Sequence, residues 1–400
     1  MPAKKLHRAV STLCVCALLL VAGCTGGAAT EATAPRPPST TTSPANDVAP
    51  TLTGCPVSHS SKSDGVFIEI SAADFNALGF AFGDSVDVVF SNGYTLKGLP
   101  YYSDTLVEPG EPLLVAFSNL PYIEVGVFYG DDLWMTAGLS DGDTATVTLA
   151  EPGAYADLQR ALDLSYTDKR SDYPSDIAFA NYRELSGGNL KPGMFYRGAS
   201  PVNNKHNRAA CANALVADAG VQVDFDLADN DDEIEGFLRE DAEANVDVSY
   251  FEGLHRAGKV VAIDLNAAYR SEGYGQKLVA GLVELMQHSG PVYIHCTAGK
   301  DRTGFVCMLL EALAGASYQQ IVDDYMITYD NYYRINAAND AKRYDIIKEQ
   351  RLDSMLRLVV GAEKGANLAS ADLSAGARNY LKAAGMTDEQ IDQLTAYLCA

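Results

Sequence analysis

The stretch HCTAGKDRTG, residues 295–304, places Cys296 six residues before Arg302. The apolar run GPVYI leads into it and RTGFVCMLLEALAG leads out, so a buried strand is expected before the loop and a helix closed by Gly315 after it. At a helix N-terminus the N–H groups of residues 297–302 have no helical partners and can all turn towards one anion. Thr297, Ala298, Gly299, Lys300 and Thr303 are therefore the candidate substrate-binding residues. Gly299 permits the tight curl, and Arg302 can close the ring with a two-pronged contact to phosphate oxygens. A cysteine at the base of such a cradle is set up to be held as a thiolate, the form that attacks. Cys296 is expected to strike phosphorus in line and carry a phosphocysteine intermediate. His295 should hold the loop by hydrogen bonds, and the Thr303 hydroxyl should reach the sulfur. Cys307, among Phe305, Met308 and Leu309 in the following helix, fits the inert role of a buried thiol.

The elements that must position this loop follow from hydrophobic period. VQVDFDLA (221–228), NVDVSYF (245–251) and GPVYIHC (290–296) read as strands, interleaved with helix-like stretches such as NRAACANALVADAG and GQKLVAGLVELMQ. That alternation predicts an α/β fold with a mainly parallel central sheet flanked by helices. ASADLSAGARNYLKAAG and TDEQIDQLTAYL add a terminal helical pair, each opening on a Ser or Thr capping signal.

The Cys-x5-Arg signature, with its preceding His and following Thr-Gly, resembles the cysteine-dependent protein tyrosine phosphatases. Its GKDRTG ending looks most like a bacterial branch whose members act on phosphotyrosine, phosphoserine or phosphothreonine and phosphoinositides. FANYREL (179–185), FYRGAS (195–200) and VDFDLAD (223–229) are similar to three further segments of that branch. Ala228 stands where the branch usually has arginine, so a supporting contact is missing. The resemblance covers about Asp163 to Ala400. It implies a phosphatase fold and hydrolysis of phosphate monoesters on a phosphoprotein, a phosphoinositide or an inositol phosphate, with neither cofactor nor metal.

It also implies an acid to protonate the leaving oxygen. Asp264, in KVVAIDLN, ranks first, Asp301 in the cradle second, and Glu252, beside His255, third. Lys300 adds a cation suited to a second phosphate or a lipid headgroup. Tyr325, Tyr329, Tyr332 and Tyr333 share one helical face, which is core or the wall of the cleft.

The chain begins with Lys4, Lys5 and Arg8 followed by an apolar run from Ala9 to Ala22, the layout of an export signal too short for a spanning helix of about 18 residues. Val21-Ala22-Gly23-Cys24 resembles a lipoprotein cleavage site, which makes residues 1–23 the signal and Cys24 the lipidated residue, on the outer face of a bacterial cytoplasmic membrane. Residues 24–60 are expected to be a disordered tether, because TGGAATEATAPRPPSTTTSPANDVAP has no hydrophobic period. Residues 61–152 read as a small all-β module, with Asn92-Gly93 as a hairpin turn, and residues 153–400 as the catalytic domain. Tyr101, Tyr102, Tyr122, Tyr129 and Trp134 could form a ligand surface on the module or pack within it. A net charge of −22 argues against nucleic-acid binding. Cys55, Cys211 and Cys399 leave room for one disulfide. Scavenging of environmental phosphate esters, and a surface lipoprotein that binds a phospholigand without turning it over, are the alternative functions.

Overall fold

The computed structural model describes residues 49–400 apart from 62 and 106. The expected export signal, Cys24 and the low-complexity stretch up to residue 48 therefore lie outside the described residues. The first strands are β1 (Thr51–Ser60), β2 (Gly65–Ile68), β3 (Ser85–Phe90), β4 (Thr95–Tyr102), β5 (Pro112–Val115), β6 (Ile123–Val127) and β7 (Thr144–Glu151). They close a barrel in the order β1-β2-β6-β5-β4-β3-β7, with short helices over Ala72–Ala77 and Leu133–Thr136. Gly93, at φ +91°, makes the expected turn between β3 and β4, where the Phe90 N–H donates to the Tyr94 carbonyl at 2.9 Å.

The expected tether is corrected at its C-terminal end. Residues 51–60 are not a tether: β1 pairs with both β2 and β7 and closes the barrel. TLTGCPVSHS has no clean apolar alternation, and its strand character comes from the two partners it joins. Tyr101, Tyr102 and Trp134 are buried, so the aromatic residues of the module are mostly packing. Phe75 lies edge-on to Tyr101 at 5.1 Å and is stacked on Phe80 at 4.1 Å.

The second sheet comprises β8 (Arg183–Glu184), β9 (Phe195–Ala199), β10 (Val223–Asp226), β11 (Val260–Ala262) and β12 (Val292–Cys296), in the order β11-β10-β12-β9-β8. All neighbours are parallel except β8, which runs antiparallel to β9. The fold is α/β, with a mainly parallel sheet between helices. One predicted strand is wrong: NVDVSYF holds no strand, and a helix over Ser249–Arg256 begins inside it. Asp247 accepts from the Ser249 N–H at 3.1 Å and the Phe251 N–H donates to Asn213 at 2.9 Å, which turns the chain into a helix. The edge strand is Val260–Ala262 instead. The terminal helices span Leu373–Ala383 and Asp388–Leu398. Thr387 caps the second as expected, whereas Asp372 caps the first.

β12 is central and buried along its whole length, and the helix Asp301–Leu313 that leaves it is buried from Thr303 onward. An apolar strand and helix therefore lock both ends of the loop 297–300 into the core.

Candidate active site

Cys296 ends β12 at the base of the loop, 3% exposed. Three of the four loop carbonyls are held by groups from other elements. The Ser200 N–H donates to the Thr297 carbonyl at 3.3 Å, the Tyr332 hydroxyl to that of Ala298 at 2.7 Å, and the Asn181 amide to that of Gly299 at 2.9 Å. Across a trans peptide a carbonyl and the next N–H point in opposite directions. Fixing these oxygens outward aims the N–H groups of Ala298 and Lys300 inward, the arrangement of an anion-binding nest. Gly299 sits at φ +63°, and a Cβ there would lie 2.2 Å from the Gly198 carbonyl, so only glycine fits between loop and β9.

Arg302 arches over the loop. Its guanidinium donates to the Leu265 carbonyl at 3.0 Å, the Ala228 carbonyl at 3.3 Å and the Thr297 hydroxyl at 3.1 Å. Lys300 donates to the Tyr333 hydroxyl at 3.3 Å and lies 3.5 Å from the Asp301 carboxylate. Burial alone would lower the Lys300 pKa, but Asp301 and the hydroxyls of Tyr329 and Tyr333 outweigh it and hold the ammonium charged.

His295 does not hold the loop directly. Its Nε2 pairs with Asp224 at 2.8 Å, and its Nδ1 has no partner among the described residues. Burial would depress this imidazole, yet Asp224 and Asp226 push its pKa up to about 10, so it is a buried cation beneath Cys296. Asp229 completes the group: burial first and then Asp226 push its carboxyl up to about 7. The Thr303 hydroxyl is likewise buried without a hydrogen-bond partner among the described residues, so the expected bond to the sulfur is not formed.

The candidate acids separate. Asp264 precedes Leu265, whose carbonyl holds Arg302, and its backbone is at φ +40°. Its carboxylate is half exposed and paired with Lys277 at 2.9 Å. Asp301 opens the loop helix and is exposed. Glu252 pairs with Arg256 on the surface helix and is not brought to the loop. Tyr325, Tyr329 and Tyr332 are buried, so the tyrosine stripe is core that also braces the loop. Cys55, Cys211 and Cys399 are all free, which removes the possible disulfide, and burial pushes the Cys307 thiol up to about 12. No group of His, Cys, Asp and Glu among the described residues is arranged to hold a metal ion.

Sequence reasoning missed the roles of Asn181, Asp324 and Tyr332. Arg183 and Arg197 converge on Asp324 at 2.6 and 2.5 Å, tying β8 and β9 to the helix Tyr318–Tyr333. Asn181, buried at φ +51°, comes from FANYREL, and Arg197 and Ser200 come from FYRGAS. The segments matched by resemblance are thus the outer brace of the loop.

The family model described as "Tyrosine phosphatase family" matches residues 178–400. Over 124 residues the chain is 36% identical to the triple specificity protein phosphatase PtpB of Mycobacterium tuberculosis, covering 31% of this chain and 43% of that protein. Over 119 residues it is 34% identical to a tyrosine-protein phosphatase of Nostoc commune, covering 28% and 40%. The chain thus spans less than half the length of these curated relatives. The core catalytic domain of the PP-IP phosphatase SIW14 from S. cerevisiae aligns with 16% identity over 44% of this chain and 94% of that one, at a TM-score of 0.24. The matched span contains the braced loop, Cys296 and Arg302 together, and by that match the chain belongs to the tyrosine phosphatase family.

Proposed function

We propose that the protein hydrolyses phosphate monoesters, phosphotyrosine among them, through a phosphocysteine on Cys296. One observation carries this reading: the carbonyls of Thr297, Ala298 and Gly299 are held from outside, which turns the N–H groups of Ala298 and Lys300 inward, while the Arg302 guanidinium donates to the Thr297 hydroxyl of the same loop. Three equatorial phosphoryl oxygens need such donors as charge shifts in the transition state. Thr297, Ala298, Gly299, Lys300 and Thr303 line the cradle. Asp264 is the acid that protonates the leaving oxygen, once it has parted from Lys277, and Asp301 is the second candidate. The relatives' names support phosphoprotein substrates, and the second cation at Lys300 supports phosphoinositides or inositol phosphates. The reduced full chain should hydrolyse p-nitrophenyl phosphate without added metal and be inhibited by vanadate. Absence of turnover at mildly acidic to neutral pH would favour a protein that only binds phospholigands.

We further propose export and lipidation at Cys24, with the enzyme held at the outer face of the cytoplasmic membrane. The charged start, the apolar run and Val21-Ala22-Gly23-Cys24 support it. No helix among the described residues is long and apolar enough to cross a membrane. Cys24→Ala should abolish lipid labelling and shift the protein out of the detergent phase. Unchanged partitioning would defeat the assignment.

A further inference from the structure

The barrel carries a buried carboxyl group that the catalytic site does not use. On β6, Ile123 and Val125 point into the barrel core, so Glu124 between them points to the outer face. It is nevertheless only 4% exposed. The Ser63 hydroxyl donates to Oε1 of Glu124. Its Oε2 is out of solvent with no hydrogen-bond partner among the described residues. Burial raises the pKa of this carboxyl, the mark of an ionisable group short of compensation.

Glu124 forms part of the wall of a cavity of about 550 Å³, with Ser60, Ser63, Phe67, Phe117 and Leu120. Phe67 is the register partner of Glu124 across β2 and β6, so an aromatic ring stands directly beside the carboxyl. His59, at the same cavity, is engaged with Asp132 at 3.0 Å and stacked on Trp134, and it is not a partner for Glu124. A volume of several hundred Å³, apolar and aromatic walls and a single convergent charged group are the features of a small-molecule site. An anion is disfavoured by the carboxyl itself and by the net charge of −22. An alcohol supplies a donor but no charge. A primary ammonium supplies both, and its neighbouring carbons suit the phenylalanine rings.

We propose that this cavity binds a small amine, with the ammonium on Glu124 and an apolar or aromatic body between Phe67 and Phe117. The site is independent of phosphate-ester hydrolysis. Isothermal titration calorimetry on the full chain with phenethylamine, 2-phenylethanol and phenylacetate tests it. Phenethylamine should bind at least ~10-fold more tightly than the alcohol, and phenylacetate should not bind. Glu124→Gln should weaken the amine by ~10-fold or more while leaving p-nitrophenyl phosphate turnover unchanged. Phe117→Ala, which keeps the carboxyl, should also weaken it and serves if Glu124→Gln does not fold. Equal affinity for amine and alcohol, no amine binding, or unchanged affinity in the variants overturns the proposal.

Discussion

Cys296 and Arg302 can be tested separately from the loop that holds them. Cys296→Ser keeps the cradle but replaces a thiolate by a far weaker nucleophile. Turnover of p-nitrophenyl phosphate should fall below detection while phosphate still binds, and more than a few per cent residual activity would remove Cys296 from the mechanism. The acids give a second comparison: Asp264→Asn should lower kcat by ~10² or more for a substrate with a poor leaving group, and Asp301→Asn much less. The reverse order reassigns the acid to Asp301. Beneath the loop, Asp229 predicts a pH effect. With its folded pKa raised to about 7, the native state keeps a proton that the unfolded chain has already lost. Its contribution to stability is thus fully present below the ordinary aspartate pKa and is lost as pH rises to about 7. Wild-type Tm should fall over that window more steeply than that of Asp229→Asn, and parallel curves would contradict the assignment. His295 loses its own contribution later, as pH rises from the ordinary histidine range through about 10.

Among the elements, β8, β9 and the helix Tyr318–Tyr333 are joined through one carboxylate. Asp324 pairs with Arg183 and with Arg197, whose side chain is 1% exposed. Arg197 also reaches the Gly299 carbonyl at 3.4 Å, so the ion-pair group and the loop share a residue. Asp324→Asn leaves two largely buried guanidinium groups without their counter-charge and should cost about 3–5 kcal/mol in urea unfolding. Activity should fall in the variant even at temperatures where it remains folded. A loss below about 1 kcal/mol would mean that packing, rather than charge, joins these elements.

For the whole molecule, the barrel keeps an apolar core of its own, with Val66, Val86, Leu114 and Val147, and joins residues 153–400 along one edge. Tyr102, at the end of β4, lies in the same apolar cluster as Leu162, Phe225 and Ile294. Glu108 reaches Arg357 at 2.6 Å and Ser354 at 3.1 Å, and Lys364 reaches Glu111 at 2.8 Å. Arg357 is 5% exposed and Glu108 12%, so this pair is shielded from water. Glu108→Ala should destabilise the chain by about 3 kcal/mol, with a single unfolding transition retained. Two separate transitions in the wild-type protein would show that the barrel is an independent appendage.

The catalytic loop was legible in the sequence because its parts are contiguous. Strand, loop and helix follow one another from Val292 to Leu313, and the spacing of Cys296, Gly299 and Arg302 is local geometry. The parallel sheet was legible too, since β12 is an apolar run, β10 alternates Val223 and Phe225 with aspartates, and both stand between helical stretches. Other features depended on partners distant in the chain. Thr51–Ser60 became a strand only by closing the barrel between β2 and β7, and NVDVSYF became a helix through Asp247 and Asn213. Asn181 and Tyr332 found the loop carbonyls across long stretches of chain. Residue type and spacing thus singled out the proposed nucleophile and its loop. Tertiary packing alone decided what braces that cradle and what the barrel rests on, because hydrogen bonds and buried charges are satisfied by whichever groups the fold brings within reach.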